Sequence, residues 1–255
     1  GHFEAAERSL RQALAEERKA GPGDHSEVAD TLTSLSHVLR ERGQWNEALQ
    51  LASEAAGIYE RLGADQRAAL GNALNNLGVI ERDLGDFRAA ERLIRRGLAL
   101  RRETLGAESP AVAVSLNSLG GLLHQAQRPV EAEAAYREAL ALRRRLFGEN
   151  HLATAASKVG LGALWVDGGR SREALTLLEQ GLAVRKAHLP AEHPQIATAE
   201  SALGACYGAL GRKNEGRTLL EKSVRTLAST RGPNHPETRR AEARLSRLDA
   251  VAPRG

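Results

Sequence analysis

Apolar and polar positions repeat along this chain with a period of 42 residues, and each period holds two apolar-periodic segments separated by turn residues. The first segment, such as residues 194–210, follows a histidine and opens on a proline, which suits the first helical position because that N–H would be unpaired anyway. The second, such as residues 87–102, ends in basic residues that complement the negative end of a helix dipole. The pattern therefore predicts pairs of helices.

A ladder of glycines separates the two helices of each pair. Glycine is common there because it readily adopts the left-handed conformation that ends helices. Glutamine fills one rung of the ladder, whose members are spaced by 42 residues: Gly1, Gly43, Gly85, Gln127, Gly169 and Gly211. We refer below to other positions by their distance from the preceding rung.

Small residues recur in two further columns. Position 34 is always leucine, and the next residue is always serine or glycine, as in Leu77 and Gly78. We expect the glycines of this column to let the two helices of a pair approach closely, and the alanines at position 5 to receive that contact. The residues are Gly78, Gly120, Gly162 and Gly204 in the first column, and Ala48, Ala90, Ala132 and Ala174 in the second. Since no pair can bury its apolar stripe alone, neighbouring pairs must stack.

These columns resemble the tetratricopeptide repeat (TPR), in which Leu-Gly lies in the first helix and Ala in the second. The usual period of that repeat is about 34 residues. The longer form found here is similar to the repeats of kinesin light chains, on the strength of the segments Leu74-Asn75-Asn76-Leu77-Gly78 and Gly232-Pro233-Asn234-His235-Pro236. The resemblance implies an all-α, right-handed superhelix of about 12 antiparallel helices.

The register divides the chain into five complete helix pairs with a lone helix at each end. The lone helices are predicted over residues 3–18 and 236–249, and a loop of six residues, such as 105–110, joins successive units. We therefore expect a single repeat domain over residues 1–255. Because the pattern opens inside a unit and the chain holds no methionine, we also expect a fragment of a longer protein.

The family resemblance also suggests where a partner binds, because the first helix of each TPR pair lines the concave groove. Carried over to this sequence, the partner-binding positions are Asn72, Asn75, Asn76, Arg82, Asn117, Ser118, His124, Gln125, Val159, Ala163 and Val166. A carboxamide can pair with the backbone of an extended peptide, because it offers donors and an acceptor. We hypothesise that Asn75 and Asn117 hold a partner backbone, while the segment from Val159 to Val166 holds an apolar anchor. The alternative is that these asparagines cap local backbone or face water.

Other candidate chemistry is better explained by the repeat. The histidines at position 24 are predicted to start helices rather than to bind a metal. One repeat separates neighbouring histidines by about two helix-packing distances, roughly 18 Å. A shared zinc ion would need them far closer. Cys206 lies on an apolar column and is predicted to be a buried small hydrophobe. No phosphate-binding glycine loop and no recurring set of nucleophile and base is present. We therefore expect no enzyme activity, no cofactor and no metal.

Charge and composition limit the partners. The net charge is +4, and the 36 basic and 32 acidic residues are interspersed, which is typical of solvated helix surfaces rather than of a nucleic-acid interface. The single cysteine, the lack of a long apolar run and the lack of a visible leader favour a cytoplasmic protein without a membrane contact. Arg240, Arg244 and Arg247 form either a basic end for an acidic partner segment or a solvated capping helix.

The expected function is a protein-interaction scaffold that binds a peptide or partner protein in its concave groove. The alternative is a regulatory or sensory segment that contacts a catalytic domain of its own parent chain. The sequence leaves the oligomeric state open.

Overall fold

The computed structural model describes residues 2–20 and 25–250, and within these ranges all regular structure is helical. Two short 3-10 turns, Arg18–Ala20 and Ala64–Gln66, accompany twelve α-helices. The helices are α1 His2–Glu17, α2 Ser26–Glu41, α3 Trp45–Leu62, α4 Arg67–Leu84, α5 Phe87–Leu105, α6 Pro110–Gln125, α7 Pro129–Phe147, α8 Leu152–Asp167, α9 Ser171–His188, α10 Pro194–Ala209, α11 Lys213–Arg231 and α12 Pro236–Ala250. The predicted all-α class and helix number are confirmed.

The helices form two compact units, Gly1–Ala126 and Gln127–Gly255. In the first unit, the predicted pairs α2–α3 and α4–α5 pack together, and α5 also packs against α6. In the second unit, α8–α9 and α10–α11 are the corresponding pairs, and α12 packs on α11. The expectation of one continuous domain over the whole chain stays a prediction.

The ladder residues adopt the conformation that the sequence predicts. Gly43, Gly85, Gly169 and Gly211 have φ between 75° and 95°, and Gln127 has φ 58°. Among the described residues, Gln127 is the only non-glycine with a positive φ. The first rung, Gly1, lies outside the described residues.

The second helices are longer than predicted. The helix predicted over residues 87–102 continues to Leu105, so the joining segment is 106–109. The helix stops there because Gly106 has φ 81° and cannot continue a right-handed helix. The same happens after α7 and α11, where Gly148 and Gly232 occupy the same position 21, and after α3, where Gly63 lies one residue earlier in the period.

Close helix approach explains the small column at position 35. A Cβ added to Gly78 would lie 2.7 Å from Cγ1 of Ile94 and 3.0 Å from the carbonyl oxygen of Ala90. At Gly162 it would lie 2.7 Å from Leu178, and at Gly204 it would lie 2.8 Å from the carbonyl oxygen of Gly216. At Gly78 and Gly204 the predicted contact with position 5 is therefore made by its backbone carbonyl, while at Gly162 the near neighbour is the side chain at position 9.

Each unit has its own apolar core built from the leucine and alanine columns. In the first unit, Leu32, Leu35 and Leu39 of α2 are completely buried against alanines of α3, among them Ala48. In the second unit, Leu178 of α9 packs with residues of α10 such as Leu203. Within the described residues, no helix is both long and apolar enough to cross a membrane.

Candidate functional site

The candidate site in each unit is the surface formed by its first helices, which we call the first-helix row of that unit. It comprises positions 29, 32, 33, 36 and 39 of α2, α4 and α6 in the first unit, and of α8, α10 and α12 in the second. These positions share one face of each helix, since residues three or four apart are neighbours on a helix surface. Position 36 is half-buried and uncharged in four of these helices: Val79, Gly121, Ala163 and Ala205.

The three asparagines predicted in α4 have different environments. Asn72 is exposed, and its Oδ1 accepts hydrogen bonds from Nε and Nη2 of Arg101 at 3.1 and 2.8 Å. Asn76 is half-buried and donates to Oγ of Ser36 at 2.6 Å, which ties α4 to α2. Asn75 is only 7% exposed, and its buried Oδ1 has no hydrogen-bond partner. Of the three, Asn72 is therefore the most open to a partner.

Arg82 lies in a charged cluster that joins α4 to α2. Its guanidinium is bound to the Asp83 carboxylate at 2.6 Å, and the same carboxylate accepts a hydrogen bond from Nη1 of Arg40 at 3.0 Å. Burial raises the pKa of Asp83, but the charges of Arg82 and Arg40 outweigh it and hold that pKa below its ordinary value. Arg40 and Asp83 thus make the link between the two helices, while Arg82 pairs with Asp83 within α4 and keeps a half-buried side chain.

The predicted residues of α6 all lie at the surface of the first unit. Asn117, Ser118, His124 and Gln125 are half-buried, and Asn117 and His124 also make interactions within the chain. The structure therefore places four polar side chains along one helix face, where an extended ligand could reach them.

The predicted apolar anchor of α8 is divided between core and surface. Val159 is 7% exposed and packs in the core of the second unit with Leu178 and Leu182. Ala163 and Val166 border the same core but remain half-buried. Of the three predicted residues, Ala163 and Val166 therefore keep part of their apolar surface exposed.

Position 16 of the second helices supplies contacts that the sequence analysis missed. Arg101, Arg143 and Arg185 were predicted only to complement helix dipoles, but each is at most 6% exposed. The Nη1 groups of Arg101 and Arg143 donate to the carbonyl oxygens of Ala111 and Ala153, ten residues onward in the next first helix. Burial lowers the pKa of each of the three arginines to about 10. Recurrence of Arg at one position of the 42-residue period was the available signal.

The arginines of α12 do not form the uniform basic end considered from the sequence. Arg247 is exposed and Arg240 is half-buried, but Arg244 is 7% exposed. Its guanidinium donates to Oδ2 of Asp167 at 3.3 Å and to Oγ of Ser201 at 3.3 Å. Arg244 therefore joins α12 to α8 and α10 within the second unit.

The loop histidines act at helix starts, as predicted. Nδ1 of His151, His193 and His235 accepts a hydrogen bond from the backbone N–H two residues onward, at 3.0 to 3.2 Å. His25 caps α2 without a side-chain hydrogen bond. Over the described ranges, no three His, Cys, Asp or Glu side chains converge as metal ligands would.

Cys206 is completely buried, in agreement with the sequence prediction. Its Sγ donates to the carbonyl oxygen of Ser171 at 3.2 Å. Burial, followed by the charge of Glu179, raises the pKa of the thiol to about 11, so it stays protonated at neutral pH.

Family models of the tetratricopeptide repeat match most of this chain. One matches residues 27–103, 69–144 and 112–187, and another matches residues 197–237. The chain belongs to the tetratricopeptide repeat family. The fold is the one used by repeat scaffolds, which are typically not catalytic. No curated protein matches the sequence.

Solved structures with this fold include kinesin-light-chain-like TPR proteins. BtubC (BKLC) from P. vanneervenii has a TM-score of 0.68 at 23% identity, over 92% of this chain and 94% of that one. A putative kinesin light chain with nearly identical TPR-like repeats from Podosopora anserina has a TM-score of 0.60 at 23% identity, over 81% and 98%. NprR in complex with its cognate peptide NprX has a TM-score of 0.70 at 13% identity, over 98% and 67%. In fold, this chain is thus similar to kinesin-light-chain-like TPR proteins.

Proposed function

We propose that this chain is a protein-interaction scaffold that binds an extended peptide, or an extended segment of a partner protein, along the first-helix row. The observation that carries the proposal is the composition of that row. Its central column is small and uncharged in each unit, at Val79 and Gly121 in the first and at Ala163 and Ala205 in the second, and all four residues are half-buried. Such a floor admits a peptide backbone without the clash that large side chains would cause.

Polar side chains beside this floor would fix the direction in which a peptide lies. Asn72 and Asn117 present carboxamides on α4 and α6. Since Oδ1 of Asn72 already accepts two hydrogen bonds from Arg101, its Nδ2 is the group that can donate to a peptide backbone. Asn75, which lies one turn from Asn72, has an Oδ1 without a partner, so an incoming N–H would satisfy an atom that burial otherwise leaves unpaired. The likeness to NprR, a protein solved with its cognate peptide, supports the same type of ligand.

The experiment is a selection of binders from a displayed random peptide library, with the whole chain as bait. The selected peptide is then titrated against the wild type and against Asn75→Ala/Asn117→Ala. Two hydrogen bonds of ordinary strength are lost, so we expect affinity to fall at least about fivefold. The matched control is Arg88→Ala/Arg172→Ala, which changes two exposed side chains on the second helices α5 and α9.

Unchanged affinity in the asparagine variant, together with a loss in the arginine variant, would contradict the proposal. That result would move binding to the second helices.

A further inference from the structure

The side chain at position 33 of a first helix points toward the first helix of the preceding pair. Asn76 of α4 shows this in the first unit, where its Nδ2 donates to Oγ of Ser36 on α2 at 2.6 Å. Arg244 of α12 shows it in the second unit, where its Nη1 donates to Oγ of Ser201 on α10 at 3.3 Å. The other residues at this position are all short: Ser34, Asn76, Ser118, Gly160 and Ala202.

Because arginine is longer, Arg244 reaches one helix farther than Asn76 does. Its Nη2 also donates to Oδ2 of Asp167, at the end of α8, at 3.3 Å. The ion pair therefore joins two first helices that are not neighbours and passes over α10, which lies between them and packs against both. A glycine on α10 lets α12 approach closely, since a Cβ added to Gly208 would lie 2.6 Å from Cδ1 of Leu248.

The ion pair covers part of the first-helix row on α10. Ser201, whose hydroxyl accepts the hydrogen bond from the guanidinium, is 3% exposed, and the next residue, Ala202, is 1% exposed. By contrast, position 33 is half-buried on α4 and α6, at Asn76 and Ser118. A ligand on the second unit can therefore reach the half-buried Ala205, but it cannot reach Ser201 beneath the guanidinium.

A single carboxylate holds Arg244 in this place. The charges that act on Arg244 are those of Asp167, which has the opposite sign, and of Arg240 and Arg247, which have the same sign. The side chain of Arg244 is 7% exposed and that of Asp167 is 32% exposed, so the carboxylate is the accessible half of the pair. Without Asp167, Arg244 would be a buried cation beside two like charges, and its side chain would be more stable in water.

We propose that the ion pair of Asp167 and Arg244 is a latch on the first-helix row of the second unit. While the pair is formed, Arg244 covers Ser201. When the pair breaks, the guanidinium turns toward solvent and the row lies open across α10. The inference rests on the proposed function, because it concerns access to the same row. Its test uses no ligand, so a peptide library that yields no binder would overturn the proposed function alone.

The rate at which N-ethylmaleimide modifies Ser201→Cys measures access beneath Arg244. We expect this rate to rise at least about tenfold when Asp167→Asn is added, because a buried cation that loses its partner is strongly destabilised. Asp249→Asn is the matched control, since it removes an ion pair between exposed side chains of the same unit, and it should leave the rate unchanged. Cys206 is completely buried, and the chain without Ser201→Cys gives its baseline rate.

Arg244→Met separates the latch from a general loosening of the helices. Methionine keeps an unbranched side chain but carries no charge, so Asp167→Asn should not raise the rate of Ser201→Cys in an Arg244→Met background. An equal rise with and without Arg244→Met would overturn the latch, because the thiol would then become accessible without movement of the guanidinium. No rise on addition of Asp167→Asn, in the chain that keeps Arg244, would overturn it as well.

Discussion

Gln127 occupies a backbone conformation that every other described ladder position gives to glycine. Its φ of 58° places a residue with a Cβ in the left-handed region, at a cost of roughly 1–2 kcal/mol. Glycine would remove that cost but lose about 0.4–1 kcal/mol of backbone entropy on folding. We therefore expect Gln127→Gly to raise the free energy of unfolding by about 0.5–1 kcal/mol, measured by denaturant titration.

The reverse substitution at Gly85 is the control. A Cβ there meets no atom within 4 Å, so only its φ of 95° opposes a side chain. After the same entropy offset, Gly85→Ala should lower the free energy of unfolding by about 0.5–1 kcal/mol. If Gln127→Gly were destabilising while Gly85→Ala behaved as expected, then the glutamine side chain would have a stabilising contact that outweighs its strain.

At the scale of single residues, the sequence predicted backbone roles better than side-chain contacts. The histidines that start helices and the glycines that end them act through local backbone geometry. A single period of the sequence is therefore enough to predict them. The contacts of Arg101 with Asn72 and of Arg185 with Thr198 join different helices, and helix periodicity alone does not show which surfaces meet. Arginine is usually exposed to solvent, so residue type alone offered no reason to expect that the arginines at position 16 would be buried.

At the scale of helix pairs, Gly78 sets the distance between α4 and α5. An alanine there would bring its Cβ to 2.7 Å from Ile94 and 3.0 Å from a backbone carbonyl, which side-chain rotation alone cannot relieve. Overpacking of this kind typically costs about 1–3 kcal/mol, and we expect Gly78→Ala to lower the free energy of unfolding by at least the upper part of that range.

Gly57 of α3 offers the opposite case in a helix of the same unit. A Cβ there meets only the flexible end of Arg61, at 3.3 Å. Gly57→Ala should therefore stabilise the chain by up to about 1 kcal/mol, through helix propensity. Equal effects of the two substitutions on thermal unfolding would mean that close approach does not explain the position-35 column.

The ion pairs of Asp83 make the joint between α2 and α4 sensitive to acid. The pKa of Asp83 is held below its ordinary value in the folded chain, so its stabilising contribution is present at neutral pH. That contribution is lost as the pH falls from about 4 toward the folded pKa. Asp83→Asn should cost about 1–3 kcal/mol at pH 7, and the difference from wild type should shrink below pH 4.

Urea unfolding at several pH values measures this difference. Asp65→Asn, on an exposed 3-10 turn, is the control and should change stability little at any pH. A difference between wild type and Asp83→Asn that is constant from pH 7 to pH 3 would show that the cost arises from packing rather than from charge.

At the scale of the molecule, a repeated sequence allowed the fold to be predicted closely. Because the pattern occurs six times, a helix boundary that is ambiguous in one repeat is clear in the others. Helix number, pairing and ladder conformation could therefore all be predicted. The candidate site could be predicted only as a set of positions, because it depends on what varies between repeats. Asn72 and Asn75 share a helix and a residue type, yet one is exposed and the other is buried.

The central claim is that a partner binds on first helices and not on second helices. The most direct measurement is photo-crosslinking of a library-selected peptide to a benzophenone amino acid placed at Ala163 or, separately, at Ala183. Ala163 lies on the first-helix row of α8, and Ala183 lies on the exposed face of α9 in the same unit. We expect crosslinks from position 163 and none from position 183. Crosslinks from position 183 alone would contradict it.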